Sequence, residues 1–436
     1  MNFNGTESML LLLRNIRLMN PAQNLDRRAD LLLVDGTIAS IAQNQEAPEG
    51  ADVRDGSAWV AAPGFFDMHV HLREPGATHK ETIRTGTEAA ANGGFTGVCC
   101  MPNTTPAIDT PEVVHSILWR STGLPVDVLP SAATTKGRQG QELAPMGALY
   151  DAGVRLFTDD GDCVRSAEVM RRSFEYLSMF DGAVLSQHCE EHTMTQGFAM
   201  NEGLTSTRLG LPGYPSVAED LIIARDIQLA TYTGNRLYHV SHMSTKGGVE
   251  LVRRAKEGGQ ANITCEVTPH HIVLTEEAIV EYDTNAKMNP PLRGADDVEA
   301  IRSGLRDGTI DVIATDHAPH ALSEKEVEFQ QAPNGIVGLE TSIGLVYTTM
   351  VATGLISLDR MIELMSINPR GILSLPIPVI REGARANLTL FAPENEWTVD
   401  TGRFRTMSYN TPFNGYRLRG RPVGIINNGA VVWSDL

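Results

Sequence analysis

Eight short apolar stretches, separated for the most part by helical patterns, constrain the fold of this chain more than any other feature. They cover residues 64–70, 95–101, 126–130, 154–158, 183–187, 236–241, 262–267 and 309–314. Each is too short for a globular helix and suits a strand buried on both faces. Helical periodicity fills most of the gaps, as at 81–91, 167–179, 216–231 and 245–256. Strand-helix alternation repeated this often calls for parallel strands in an α/β fold, specifically a (β/α)8 barrel of the TIM type. An open doubly wound sheet would want a Gly-x-Gly-x-x-Gly turn after an early strand, and the sequence has none. The two ends read differently. Residues 10–18, 29–34 and 37–42 are strand-like, with Asp35-Gly36 as a tight turn, and so are 387–391, 423–426 and 430–433, with Asn427-Asn428-Gly429 turning between the last two. Neither end has an amphipathic helix to cover its apolar face, so the two are expected to meet in one small composite β-sandwich. The expected division is 1–62 plus 380–436 for the sandwich and 63–379 for the barrel.

In a barrel of this kind every strand tip opens at one mouth, and here the tips are polar. The first run carries Asp67, His69, His71 and Arg73 at alternate positions before Pro75-Gly76 stops it. Alternation on a strand turns all four to one face, and two imidazoles two residues apart can reach one metal ion. The second run ends in Pro102-Asn103-Thr104, the fourth in Asp159-Asp160-Gly161 and the fifth in His188. The sixth carries His239 and His242, and the eighth ends in Thr315-Asp316-His317-Ala318-Pro319-His320. Singly, each has an ordinary explanation: a satisfied buried histidine, an Asp-Gly turn, a capping aspartate. His270-His271 reads as a loop pair without ligand duty. Five strand ends with the same polar inventory point instead to a hydrolytic site of one or two metals. Parity alone does not choose between Asp159 and Asp160, nor between His239 and His242.

The formal net charge of −17 speaks against a nucleic-acid groove or an anionic membrane surface and leaves room for a local basic pocket. With 42% apolar residues the chain can bury a sizeable core. Its five cysteines, an odd number with no Cys-x-x-Cys spacing, fit a reducing cytoplasm better than a disulfide scaffold or a structural zinc site. The run Leu10 to Leu13 is too short for a signal-peptide core, and nothing approaches the length of a membrane span.

At these same residues the chain resembles the dihydroorotases of the amidohydrolase superfamily. One family signature is similar to Asp67-Met68-His69-Val70-His71-Leu72-Arg73-Glu74-Pro75-Gly76, and another to Ala314-Thr315-Asp316-His317-Ala318-Pro319-His320 with Lys325 beyond it. Further similar stretches are Gly93 to Thr104, Lys287 to Arg293 and Gly335 to Glu340, so the likeness runs over nearly the whole length. It implies a zinc enzyme for the reversible cyclisation of N-carbamoyl-L-aspartate to (S)-dihydroorotate and water in pyrimidine synthesis. It implies one zinc on His69, His71 and Asp316 and a second on His188 and His242, bridged by Asp160, two ions being favoured over one. It implies attack by metal-bound hydroxide, with Asp316 as the proton shuttle. Arg73 would fork onto the substrate carboxylate, helped by Asn103 and His320, and Asn289 would meet the ring amide. The alternative for Arg73 is a salt bridge to Glu74 or Asp67. His71 also lines the expected substrate site, as do Asn334 and Gly335; a relative can carry an aromatic residue where this chain has Asn334.

Related hydantoinases, dihydropyrimidinases and allantoinases commonly bridge two metals with a carboxylated lysine on the fourth strand. Residues 154–161 contain no lysine, and Asp159-Asp160 offers an unmodified carboxylate instead. A metal-free relative acting as a structural partner of aspartate carbamoyltransferase would have lost ligands that this chain keeps. The resemblance also makes a homodimer the expected assembly and allows a complex with aspartate carbamoyltransferase. The charged segment 322–334, which follows the last strand, is expected to act as a lid over the mouth.

Overall fold

The computed structural model of the protein describes residues 9–436; residues 1–8 of the expected amino-terminal unit lie outside them. Five strands open the chain: β1 (Leu10–Asn20), β2 (Leu25–Val34), β3 (Thr37–Ala42), β4 (Asp52–Asp55) and β5 (Val60–Pro63). In the antiparallel pair β1-β2, Leu11 faces Leu33 and Leu13 faces Leu31. The register shifts between Leu13 and Ile16, where Asn15 takes a φ of 52° and donates its amide to Asp30 Oδ1 at 2.7 Å. Such an irregularity bends a strand and increases its twist. Asp35 and Gly36 join β2 to β3 with φ of 47° and 72°, the two positive values that a two-residue hairpin of the right twist requires.

The central strands follow: β6 (Phe65–Val70), β7 (Phe95–Cys100), β8 (Asp127–Pro130), β9 (Leu156–Phe157) and β10 (Val184–Gln187). After the short pair β11 (Met200–Asn201) and β12 (Gly213–Tyr214) come β13 (Tyr238–Val240), β14 (Ile263–Val267) and β15 (Val312–Ile313). Apart from the pair β11-β12, these strands match the eight apolar runs in position and order. β6-β7-β8 form one parallel sheet and β9-β10-β13-β14-β15 another. Parallel bridges link the two sheets at both seams, Ala132 with Phe157 and Val70 with His317. At the first seam Ala132 N–H donates to Leu156 O at 3.0 Å, and at the second His71 N–H donates to His317 O at 2.8 Å. Helices fill the connections, among them Ile83–Asn92, Ala167–Leu177, Val217–Tyr232 and Lys246–Glu257. Hydroxyl caps fix several starts: Thr82 accepts from Thr85 N–H at 3.1 Å and Thr245 from Gly248 N–H at 3.0 Å.

Two runs are shorter as strands than their sequence suggests. In 154–158 only Leu156–Phe157 pairs as a strand, because Val154 N–H is committed to Leu149 O at the end of the preceding helix. In 309–314 only Val312–Ile313 does, because Ile310 N–H is committed to Gly304 O. Apolar character reports burial, and these residues are buried without lying in a ladder.

The chain ends in β16 (Leu388–Thr398), β17 (Arg417–Asn427) and β18 (Ala430–Trp433). β16 pairs antiparallel with β5, Leu390 opposite Ala61. The result is a single eight-stranded sheet in the order β18-β17-β16-β5-β1-β2-β3, with β4 on β1. Leu13, Leu31 and Leu33 from the start of the chain pack with Leu388, Leu390 and Ile426 from its end in one buried cluster. Each such side chain is worth ~1.5–3 kcal/mol when fully buried, and neither terminus alone could cover the others. Among the described residues no helix is long and apolar enough to cross a membrane.

Candidate active site

His69 lies on β6, and His71 follows it. His69 Nε2 is 3.3 Å from Asp160 Oδ1 and 3.6 Å from Asp316 Oδ1. His71 Nε2 is 2.9 Å from Asp316 Oδ1 and 3.5 Å from Asp160 Oδ2. Asp160 follows β9, His188 follows β10, His242 follows β13 and Asp316 follows β15. His242 Nε2 lies 2.9 Å from His188 Nδ1 and 3.4 Å from Asp160 Oδ1. All six side chains are buried, and three overlapping groups of them could hold a cation: His69-His71-Asp160, His69-His242-Asp316 and Asp160-His188-His242. Arg73, His242 and Asp316 have φ of 58°, 31° and 47°. Non-glycine residues rarely adopt such values, and where they do they cluster at functional sites.

Charge at this cluster is unbalanced in a definite direction. Burial alone would raise Asp160, but the imidazoles of His69, His242 and His71 carry it well below the ordinary carboxylate range. Burial opposes charge on His69, yet the carboxylates of Asp160 and Glu266 raise it well above the usual imidazole value. Asp316 is brought down to about 2, against burial, by His69 and His71. The carboxylates therefore demand positive charge. Two buried atoms, His69 Nε2 and Asp160 Oδ1, have no hydrogen-bond partner although they lie 3.3 Å apart. An imidazole nitrogen and a carboxylate oxygen that face each other without a hydrogen bond are a pair that a divalent cation satisfies by displacing the imidazole proton, and His nitrogen with carboxylate oxygen is a donor set that suits zinc. The residues fit a metal.

Beside the cluster lies a cleft of about 250 Å³, lined by His71, Arg73, Asn103, Met288, Asn289, Ala318, His320 and Asn334 as well as the aspartates and histidines of the rim. Arg73 Nε donates to Pro319 O at 3.2 Å, and its Nη2 lies 3.5 Å from His320 Nε2. Among the described residues it pairs with neither Glu74 nor Asp67. Glu74 is taken by Arg120 and by Ile83 N–H, and Asp67 by the amides of His69 and Thr315. Burial lowers Arg73 to about 10, so it stays cationic at neutral pH. Burial, together with the charges of Arg73 and Lys80, pushes His320 down to about 3, so its ring is neutral and Arg73 is the cation of that pair that faces the cleft. Asn103 Oδ1 accepts from His71 Nδ1 at 2.8 Å, which assigns the proton to that nitrogen and turns Nε2 to the cluster. Asn289 Oδ1 and Asn334 Oδ1 are buried without partners. Gly335 differs from the other predicted residues: its amide is given to Lys287 O at 2.9 Å and its carbonyl accepts from Asn410.

The two ambiguities of parity resolve in three dimensions. Asp159 is turned away, accepting from the amide and hydroxyl of Thr135, while Asp160 faces the histidines. His242 reaches the cluster, while His239 meets Glu266 Oε2 at 3.2 Å. His271 is satisfied by Thr268 and by Pro290 O. The sequence offered no pointer to Glu190, which lies 2.8 Å from His188 Nε2 and 3.0 Å from Asn289 Nδ2, or to Glu266, 2.5 Å from His69 Nδ1. Glu266 shares the inward parity of its strand, but a lone glutamate in an apolar run carries no motif. The segment 322–334 is tied down by two ammonium groups. Lys325 Nζ donates to Thr284 O and Pro333 O, and Lys287 Nζ to Gln330 O and Ala332 O.

Nearly the full length of the chain superposes on solved hydantoinases and dihydropyrimidinases. The L-hydantoinase (dihydropyrimidinase) from Arthrobacter aurescens matches with a TM-score of 0.85 and 25% identity, over 98% of this chain and 96% of that one. The dihydropyrimidinase from Brevibacillus agri NCHU1002, at 21% identity and a TM-score of 0.82, shares the fold. Metal-capable strand tips around a polar cleft, on this scaffold, define the class: a cyclic amidohydrolase. The sequence comparisons narrow it. A family model described as dihydro-orotase-like matches residues 58–248. The dihydroorotase of Syntrophus aciditrophicus (strain SB) is 46% identical over 429 residues, 98% of this chain and 100% of the relative. That of Pelotomaculum thermopropionicum is 47% identical over 429 residues, 98% of this chain and 99% of the relative. The chain belongs to the dihydroorotase family.

Proposed function

We propose that the protein catalyses the reversible cyclisation of N-carbamoyl-L-aspartate to (S)-dihydroorotate and water, in a closed (β/α)8 barrel spanning 63–379 and carried by a terminal β unit of 1–62 and 380–436. The bridges at both sheet seams support closure. The observation that carries the function is the combination of the unpartnered atoms His69 Nε2 and Asp160 Oδ1 with Arg73 beside them, which meets no carboxylate among the described residues. One feature asks for a metal and the other for an anionic substrate. His69, His71 and Asp316 would hold one zinc, and His188 and His242 a second, with Asp160 between them. When bound, zinc polarises a carbonyl oxygen and makes a nucleophile available at neutral pH.

The protein's own groups do the rest. Asp316, ionised at neutral pH, takes the proton of the attacking water and passes it to the leaving ring nitrogen. In the cyclising direction it moves the proton back. Arg73 forks onto the substrate carboxylate, with Asn103 and His320 beside it, and the free Asn289 Oδ1 accepts from the ring amide. A hydantoinase is the rival within the class. It is disfavoured because residues 154–161 carry no lysine and Asp160 already stands among the histidines. Initial rates on dihydroorotate and on hydantoin decide between them. Turnover of dihydroorotate is expected, and turnover of hydantoin alone would reverse the assignment.

A further inference from the structure

We infer that Glu266 is a positioning residue for the metal centre: one buried carboxylate that fixes the ring of His69 and the backbone of His242 together. The inference rests on the metal-dependent reading above. Glu266 sits on β14, 1% exposed, two residues after Thr264. Its Oε1 lies 2.5 Å from His69 Nδ1 and accepts the His242 amide at 3.2 Å. Its Oε2 lies 3.2 Å from His239 Nε2, and His239 Nδ1 is 2.8 Å from Thr264 Oγ1.

An ionised carboxylate only accepts, so each ring nitrogen that faces it carries the proton. His69 Nδ1 is thereby committed to Glu266, and Nε2 is the atom left without a hydrogen-bond partner on the Asp160 side, free to meet a cation. The same oxygen receives the amide of His242, whose φ of 31° is one that few residues adopt, and that backbone setting directs Nε2 toward Asp160 and His188. Histidines from two strands, expected on two different ions, are thus referenced to a single atom on a third strand. His239 holds the other carboxylate oxygen and keeps the group from rotating, and the Thr264 hydroxyl in turn fixes His239. This accounts for the histidine in the sixth run that does not reach the cluster. Glu266 is not itself a ligand: it lies on the Nδ1 side of the His69 ring, while Asp160 faces Nε2, and both of its oxygens are engaged. Carboxylates placed behind ligand imidazoles typically contribute ~10–100-fold to metal affinity.

The test is zinc affinity, measured on full-length protein by equilibrium competition with a chelator of known strength. Glu266→Gln keeps one acceptor oxygen, but its amide nitrogen cannot accept a second N–H. Zinc binding should weaken ~10–100-fold, while the thermal midpoint of the zinc-free variant stays with that of the zinc-free wild type. His239→Gln retains a donor toward Oε2 and should bind zinc like the wild type. His239→Leu removes that donor and should bind several-fold more weakly. These two keep the test open if Glu266→Gln does not fold. Zinc affinity equal to wild type in folded Glu266→Gln, or in His239→Leu, overturns the role of Glu266. Wild-type protein with no affinity for zinc overturns the metal-dependent reading itself, and this inference with it.

Discussion

Replacing Arg73 by Met tests substrate recognition separately from the metal chemistry. The methionine keeps an apolar stem of similar length and removes the guanidinium. In the structure that guanidinium gives Nε to Pro319 O at 3.2 Å and has only a long contact of 3.5 Å from Nη2 to His320 Nε2, and among the described residues no carboxylate pairs with it. Its terminal nitrogens are therefore available for a bidentate grip on the substrate carboxylate. Each hydrogen bond to a charged group is worth ~1.5–3 kcal/mol, so two give ~3–6 kcal/mol. At ~1.4 kcal/mol per tenfold that is ~10²–10⁴ in kcat/KM. The neutral His320 and Asn103 retain part of the contact, which favours the lower end. The assay is initial-rate ring opening of dihydroorotate beside dihydrouracil, the same ring without the carboxylate. Arg73→Met should lose about 10²-fold or more on dihydroorotate, mainly through KM, and little on dihydrouracil. Equal losses on the two substrates would mean that Arg73 serves the fold or the metal site and not the carboxylate. Because Arg73 titrates near 10, its contribution should be flat across neutral pH.

Asp316→Ala should lower kcat at least ~10²-fold, and zinc counted in the same preparation separates proton transfer from metal loss; a near-normal rate refutes the shuttle. Glu340 gives a pH prediction for stability. Burial raises this carboxyl to about 8, despite hydrogen bonds from Asn92 and the Arg405 amide. The folded state therefore binds a proton that the unfolded state releases near 4.5. Stability from this group is fully present below that value and is lost as pH rises toward 8. Relative to wild type, Glu340→Gln should gain denaturant resistance between mildly acidic and mildly alkaline pH, by up to ~1.4 kcal/mol per pH unit; parallel curves for the two proteins would show that Glu340 is already ionised in the fold.

Most of the central architecture was legible because its strands are buried on both faces and so appear as unbroken apolar runs. The ends of those runs also exposed the ligand-type residues, since a polar side chain after a buried strand has few reasons to be there. Legibility failed where a role depends on a partner distant in sequence. Asp159 and Asp160 are equivalent by pattern; Thr135, 24 residues earlier, claims one of them. Glu266 looks like an interruption of a strand until β6 and β13 bring His69 and His239 against it. The charge of 322–334 was legible, but not that Lys325 and Lys287 anchor the segment through main-chain carbonyls that sequence does not display. For Gly335 the sequence likewise did not display the partner of its amide, Lys287 O.

The central claim is that His69, His71, Asp160, His188, His242 and Asp316 gather around metal. Anomalous scattering recorded at the zinc edge, from crystals of protein purified without added metal, addresses it directly. The account predicts a peak between His69 Nε2 and Asp160, with a second beside His188 and His242 when both sites are filled. A protein that turns over dihydroorotate while its crystals show no anomalous density at these residues would contradict it.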